Sequence, residues 1–158
     1  MLALYNTPYL RIYYDGFAHT LESEWLRRPT SEELRLGLQT GLVLAREYHV
    51  RGWISNLRRM PGISPDDEAW VRTEWLMQFV ELDITHMAIV ESRSQVIRTG
   101  VIELLERAGT LAPLSTGYFA SRAAARQWIM GGQLIPGQPL SLAVATPTPV
   151  LSENRPSL

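Results

Sequence analysis

The chain has 158 residues, 46% apolar and 20% charged, with a net charge of -1, which suits one globular domain with a proper core. All fifteen cations are arginine and there is no cysteine, which excludes Schiff-base, lysine-nucleophile and P-loop chemistry, and with them thiol catalysis, disulfides, zinc fingers and iron–sulfur clusters. The near-neutral balance argues against a nucleic-acid binder that relies on a basic surface, although a balanced total can conceal a local patch.

The N-terminal Met1–Tyr5 lacks a basic stretch followed by a long apolar run, and no segment approaches the roughly 20 apolar residues that cross a bilayer. The expectation is a cytoplasmic protein without membrane insertion. Tyr9–Tyr14 has strand composition, Asp15-Gly16 reads as a turn, and His19–Leu26 alternates polar and apolar residues. Together they predict an edge β-hairpin with one wet face. Pro29 ends the strand, and Thr30 or Ser31 caps a helix with Glu32 and Glu33 in its first turn. Leu34, Leu38, Leu42 and Ala45 carry that helix to about Tyr48. Gly37 and Gly41 lie four apart on one face, which predicts close packing there.

Gly52–Leu57 reads as the next strand and Arg58–Gly62 as a polar loop. Ser64-Pro65-Asp66-Asp67-Glu68 is a strong helix start, with a hydroxyl cap, a proline at the first helical position and then acids. Val71, Trp75, Phe79 and Leu82 follow on one face. Met87–Val90 is a fully apolar strand of the kind buried on both sides of a parallel sheet. Ile97, Val101, Leu104, Leu105 and Ala108 mark a third helix, Leu114–Phe119 a last strand, and Arg122–Met130 a fourth helix capped by Ser121. The order β-β-α-β-α-β-α-β-α predicts a mixed, mostly parallel sheet of four or five strands with an N-terminal hairpin and four helices. The domain is expected to span residues 1–132. Residues 133–158 hold five of the ten prolines and two charges, Glu153 and Arg155. They read as a flexible tail or, through the strand-like Leu140–Ala145, as a segment docked on a neighbouring subunit.

The hairpin, the leucine helix, the GWISNLRRM strand-loop, the DDEAWVRTEWL helix, the HMAIVE strand and the FASRAAARQWI helix together resemble a SpoIIAA-like (STAS-related) domain. They are most similar to small stand-alone members of Bacteroidetes type, over about residues 9 to 130. The resemblance implies a four- or five-stranded sheet with helices packed on it. Sporulation-type members antagonise anti-sigma factors and are switched by phosphorylation of a serine in an Asp-Ser-Ser-Gly-like signature at a helix start. This chain has Ser64-Pro65-Asp66-Asp67 there, and phosphate on Ser64 would meet like charge. Small members have also been grouped with lipid-transfer folds that bind an apolar ligand.

His19, His49 and His86 are scattered without metal-ligand spacing, no Gly-x-Ser-x-Gly occurs, and no dinucleotide fingerprint appears. No catalytic residue, metal site or cofactor is therefore assigned. Acids at Asp66, Asp67 and Glu68 are expected for capping. Asn56, Arg58 and Arg59 follow the third predicted strand, where ligands of parallel sheets sit, and Glu91, Ser92 and Arg93 end the next one. Two adjacent arginines suit a phosphate or carboxylate, while the plainer reading leaves Arg58 solvated and paired to a nearby acid. Trp53, Trp75 and Trp128 fit core positions. Trp70 lies about 500° before Trp75 on an α-helix and so points away from it, and with Trp25 it is expected to be partly exposed. The site residues taken forward are Asn56, Arg58, Arg59, Ser64, Trp70 and Glu91. The leading expectation is a homodimeric interaction or regulatory module without catalysis, working through an aromatic surface around Trp70 and Trp75 with the Arg58–Ser64 loop as recognition element. The alternative is a carrier of a small apolar or amphipathic ligand, with Arg58 or Arg59 on its head group.

Overall fold

The computed structural model describes residues 1–134, so the expectations for the rest of the tail lie outside the described residues. Among the described residues six strands form one mixed sheet: β1 (Leu2–Asn6), β2 (Leu10–Asp15), β3 (Thr20–Trp25), β4 (Gly52–Asn56), β5 (His86–Val90) and β6 (Ser115–Phe119). Their order in space is their order in the chain. β1–β2 and β2–β3 pair antiparallel, and β3 through β6 are parallel. The helices are α1 (Ser31–Glu47), α2, α3 (Gln95–Leu111) and α4 (Arg122–Leu134). α2 runs as α-helix over Pro65–Trp70, widens into a π turn over Val71–Trp75 and closes as α-helix over Leu76–Phe79.

The α/β class and the four helices agree with the sequence reading, and the strand count corrects it. The sheet has six strands because Leu2–Asn6 pairs with β2. That segment shows no clean polar–apolar alternation, and the turn after it is closed by a side chain: Thr7 Oγ1 accepts from the Leu10 N–H at 2.9 Å. The β2–β3 hairpin is therefore interior, and β1 is the edge. α4 also runs past Met130 through Gly131 and Gly132 to Leu134.

Side-chain oxygens start the helices, at Thr30, Ser64 and Ser121 as expected and at Ser94 in addition. Thr30 and Glu33 form a reciprocal capping box on α1, Ser64 accepts from Asp67 N–H at the head of α2, and Ser94 accepts from Ile97 N–H at the head of α3. Ser121 Oγ accepts from Ala124 N–H at the start of α4. A sheet that adds strands in one direction, with right-handed crossovers, sends every crossover helix to the same face. Leu34 and Leu42 of α1, Trp75, Leu76 and Phe79 of α2, and Ile97 and Leu105 of α3 accordingly share one core with Ile12, Leu21, Trp53, Met87 and Ile89. Each such large side chain contributes roughly 1.5–3 kcal/mol by burial. Gly37 and Gly41 let α1 approach closely. A Cβ on Gly37 would lie 2.6 Å from Leu10, and one on Gly41 2.8 Å from the Trp53 ring.

Among the described helices α4 alone covers the other face, through Ala125 and Ile129 against Ile54, Ala88, Val90 and Phe119. Two of the three histidines are turn residues with left-handed backbone, His19 (φ 49°) and His49 (φ 51°).

Candidate functional site

The carboxyl ends of β3 to β6 and the loops that leave them form one rim. Arg58 begins in an Asx turn, its N–H donating to Asn56 Oδ1 at 3.1 Å. Its guanidinium crosses the end of β5 and donates to the Ala120 carbonyl at 3.0 Å, and among the described residues no acid pairs with it, contrary to the plainer expectation. Ser92 is buried, and its hydroxyl donates to the Met60 carbonyl at 2.7 Å, tying the loop after β4 to the loop after β5. Arg98 Nη1 donates to the Ser92 carbonyl at 2.9 Å. Arg28, in the loop after β3, reaches over Gly62. The four loops are thus one continuous surface. Arg27 is already occupied on it, bidentate to Glu33 and over the Tyr9 ring.

Of the residues taken forward, Asn56, Arg58, Arg59 and Glu91 meet on this rim. Arg59 is exposed, and half-buried Glu91 anchors its backbone N–H on the Phe119 carbonyl at 2.9 Å. Ser64 and Trp70 belong elsewhere, in a clasp between α1 and α2. Asp67, 3% exposed, is its centre. It accepts from Ser31 Oγ at 2.6 Å and Arg35 Nε at 3.1 Å, and its own N–H is held by Ser64. Burial opposes the charge of Asp67, but the Ser31, Ser64 and Arg35 donors outweigh it and hold its pKa below the ordinary 3.8. Arg35 lies 5.1 Å over the Trp70 ring.

Trp53 and Trp75 are buried and Trp70 is partly exposed, as expected, while the exposure of Trp25 and the surface drawn around Trp75 need correction. Trp25 is 2% exposed and Trp75 3%, so neither presents a surface. Trp75 Nε1 donates to the Leu38 carbonyl of α1 at 3.0 Å. Trp70 also faces α1, because i→i+5 bonding across the π turn turns the chain fewer degrees per residue than an α-helix does. The 100° step used on the sequence overestimated the angle between the two rings.

A second cluster escaped the sequence reading. Glu22, on the α4 side of β3, is 3% exposed and pairs with Arg122 Nε of α4, while Arg126 of the same helix sits 4.0 Å from it. Arg126 Nη2 also donates to Asp15 Oδ2 at 3.1 Å. Burial works against charge on Asp15, yet the Ala18 and Phe17 N–H groups and Arg126 lower its pKa. Glu22 pushes the Arg122 pKa up. The signal was present in Arg122 and Arg126, four apart and so on one helical face, but nothing local aimed them at Glu22. Nearby, His86 meets the Trp128 ring edge-on at 5.6 Å, and its pKa is lowered by burial and by Arg51.

Two crevices accompany these features. One, of about 220 Å³ and open to solvent, lies between Asp15, Thr20, Glu22, Ile54 and Arg126. The other, of about 170 Å³, lies between Leu57, Glu91, Ser92, Arg98 and Tyr118. Among the described residues no group of three or more His, Asp or Glu side chains is placed to hold a metal ion, and no helix is long and apolar enough to cross a membrane. Comparison with protein-family models, curated proteins and solved structures finds no match.

Proposed function

We propose that this chain is a non-catalytic, SpoIIAA-like interaction module of the cytoplasm that works by contact with another protein or with a second copy of itself. The observation that carries the reading is the rim: four exposed loops knit side by side, on rigid strand ends, into one surface. Loops held by a scaffold are the usual carriers of recognition. Other groups with chemical potential serve the fold. Ser64 caps α2, Asp67 clasps α1, Asn56 closes a turn, and Glu22 is buried against arginines. The recognition surface is the rim and not the tryptophans, since Trp75 lies in the core. The strand order also favours a flat edge. It never reverses, so the sheet has no switch point at which crossover helices part to open a ligand crevice. Among the described residues these two crevices enclose no more than about 10 Å³ of closed space, far below the roughly 300–1,000 Å³ usual for small-molecule sites, which favours the module over the carrier.

Native mass spectrometry of the protein taken gently from its own source tests this. The expected result is a second polypeptide bound to the chain and released by Arg58→Ala/Arg59→Ala. A small-molecule adduct lost on denaturation, or a complex indifferent to those substitutions, overturns the reading.

A further inference from the structure

The outer face of α1 carries an apolar stripe. Leu36 is 56% exposed and Val43 50%. Exposed apolar side chains scattered singly are ordinary on a protein surface. These two lie seven residues apart, so they share one line about 10 Å long, with half-buried Thr40 between them. The helix holds five charges, Glu32, Glu33, Arg35, Arg46 and Glu47. Two are occupied: Glu33 is bound by Arg27 and the capping box, and Arg35 by Asp67 and the Trp70 ring. Among the described residues the Glu32 and Arg46 side chains have no ion-pair or hydrogen-bond partner, and both are exposed. They sit about 21 Å apart along the helix, too far to meet within one chain. At 100° per residue both fall on the flank of the stripe nearer α2, and Glu47 falls on the other. On its own side α2 adds Asp66, Glu68, Arg72 and Glu74, with Glu68 and Arg72 4.0 Å apart, and the loop after α2 adds Glu81 and Asp83. Arg46 is thus an unpaired cation on an acidic surface.

We infer that α1 docks on α1 of a second copy of this chain, the two helices running antiparallel about a two-fold axis that passes between Gln39 and Thr40. This surface is separate from the rim, and its partner is the chain itself. The positions of the residues carry the inference. An axis between residues 39 and 40 sets Leu36 of each copy opposite Val43 of the other. It brings like flank to like flank, so Arg46 of each copy comes to Glu32 of the other, on the side where Asp66 heads α2. On the opposite flank Glu47 meets Glu33, whose charge Arg27 already offsets. A parallel pair would stack Glu32 on Glu32 and Arg46 on Arg46, so the charges select the antiparallel arrangement. α3 has no comparable stripe. Its exposed Ile102 lies about 240° round the helix from Val96, and Leu111 about 180° round from Ile102. One helix presents less than the roughly 800 Å² per partner of a standard interface, so a dissociation constant of about 100 μM is expected.

The test is sedimentation equilibrium of the full chain from about 10 to about 1,000 μM, a range that brackets the expected constant. The unaltered chain is expected to show a monomer–dimer equilibrium, and Leu36→Asp/Val43→Asp to remain monomeric. Arg46→Glu is expected to weaken association about tenfold, and Glu32→Arg/Arg46→Glu to return it to within about threefold, because the swap restores both ion pairs. Circular dichroism reports whether each variant folds, and Leu36→Ala/Val43→Ala serves if the aspartates disturb it. The chain has no cysteine, so Thr40→Cys reads the geometry directly. Beside the axis it is expected to cross-link to its own copy on oxidation, whereas Glu103→Cys on α3 is not. A monomer throughout the range overturns the inference. So does a dimer that survives the α1 substitutions and is lost in Arg58→Ala/Arg59→Ala or on removal of residues 135–158. Weakening by Arg46→Glu that the swap does not restore overturns the antiparallel pairing. Any of these failures leaves the rim reading standing, since Arg58 and Arg59 take no part in the α1 contact.

Discussion

The two faces of the sheet are closed by different chemistry. Three helices seal one with an apolar core that holds Leu21 and centres on Trp53, Trp75 and Phe79, whose rings meet at centroid distances of 5.1 to 5.9 Å. One helix seals the other, with a small apolar patch flanked by Asp15, Glu22, Arg122 and Arg126. Apolar burial is tolerant of exact geometry and scales with area, whereas a buried carboxylate is held only as long as its cation stays in place. The α4 face is therefore the more conditional of the two.

The largest expected effect is on the three-helix face. Trp53→Ala removes the ring on which Gly41, Trp75 and Phe79 pack and is expected to cost about 3–5 kcal/mol, read as a lower denaturant midpoint. On the α4 face, Arg122→Met removes the nearer of the two cations beside buried Glu22, leaving Arg126 at 4.0 Å, and is expected to cost about 2 kcal/mol. Glu22→Met/Arg122→Met is expected to cost less than the single change, since the uncompensated charge is gone. A double variant as unstable as the single one would show that the pair acts through packing alone. Thr30→Ala removes the α1 cap, and about 1 kcal/mol is expected by the same unfolding measurement.

The smallest effect is that of pH, and it belongs mainly to the α4 face. The folded pKa of His86 lies below its ordinary 6.5, so the unfolded chain binds the proton first. The stability this represents is complete above about pH 6.5 and declines as pH falls toward the folded value. Asp15, lowered from 3.8, adds a second decline below about pH 4. His86→Gln is expected to abolish the first decline and leave the second, as followed by thermal melting across pH.

Much of the architecture was legible in local pattern. Ser64-Pro65 and Thr30 with Glu33 marked helix starts, Gly37 and Gly41 marked the close approach, and the apolar Met87–Val90 marked a central strand. The edge strand was not, because Leu2–Asn6 is defined by what it pairs with and carries no period of its own. Nor was the orientation of Trp70, since a π turn is a choice the packed helix makes and the residue spacing does not record it. Of the candidate residues, Asn56, Arg58, Arg59 and Glu91 were placed on one edge by their position after strands, while Trp70 was chosen as an exposed aromatic anchor and Ser64 as the end of the Arg58–Ser64 loop, and both lie in the α1–α2 clasp.

The sequence by itself determined the order of elements, the caps and the apolar faces, because these depend on interactions within a few residues. Tertiary structure alone decided which arginines share an edge and which carboxylate is buried beneath α4. Arg28, Arg59 and Arg93 come from three loops separated by whole helices, and Arg122 meets Glu22 across 100 residues of chain. Electrostatic energy depends on distance in space, and only the packed sheet sets that distance.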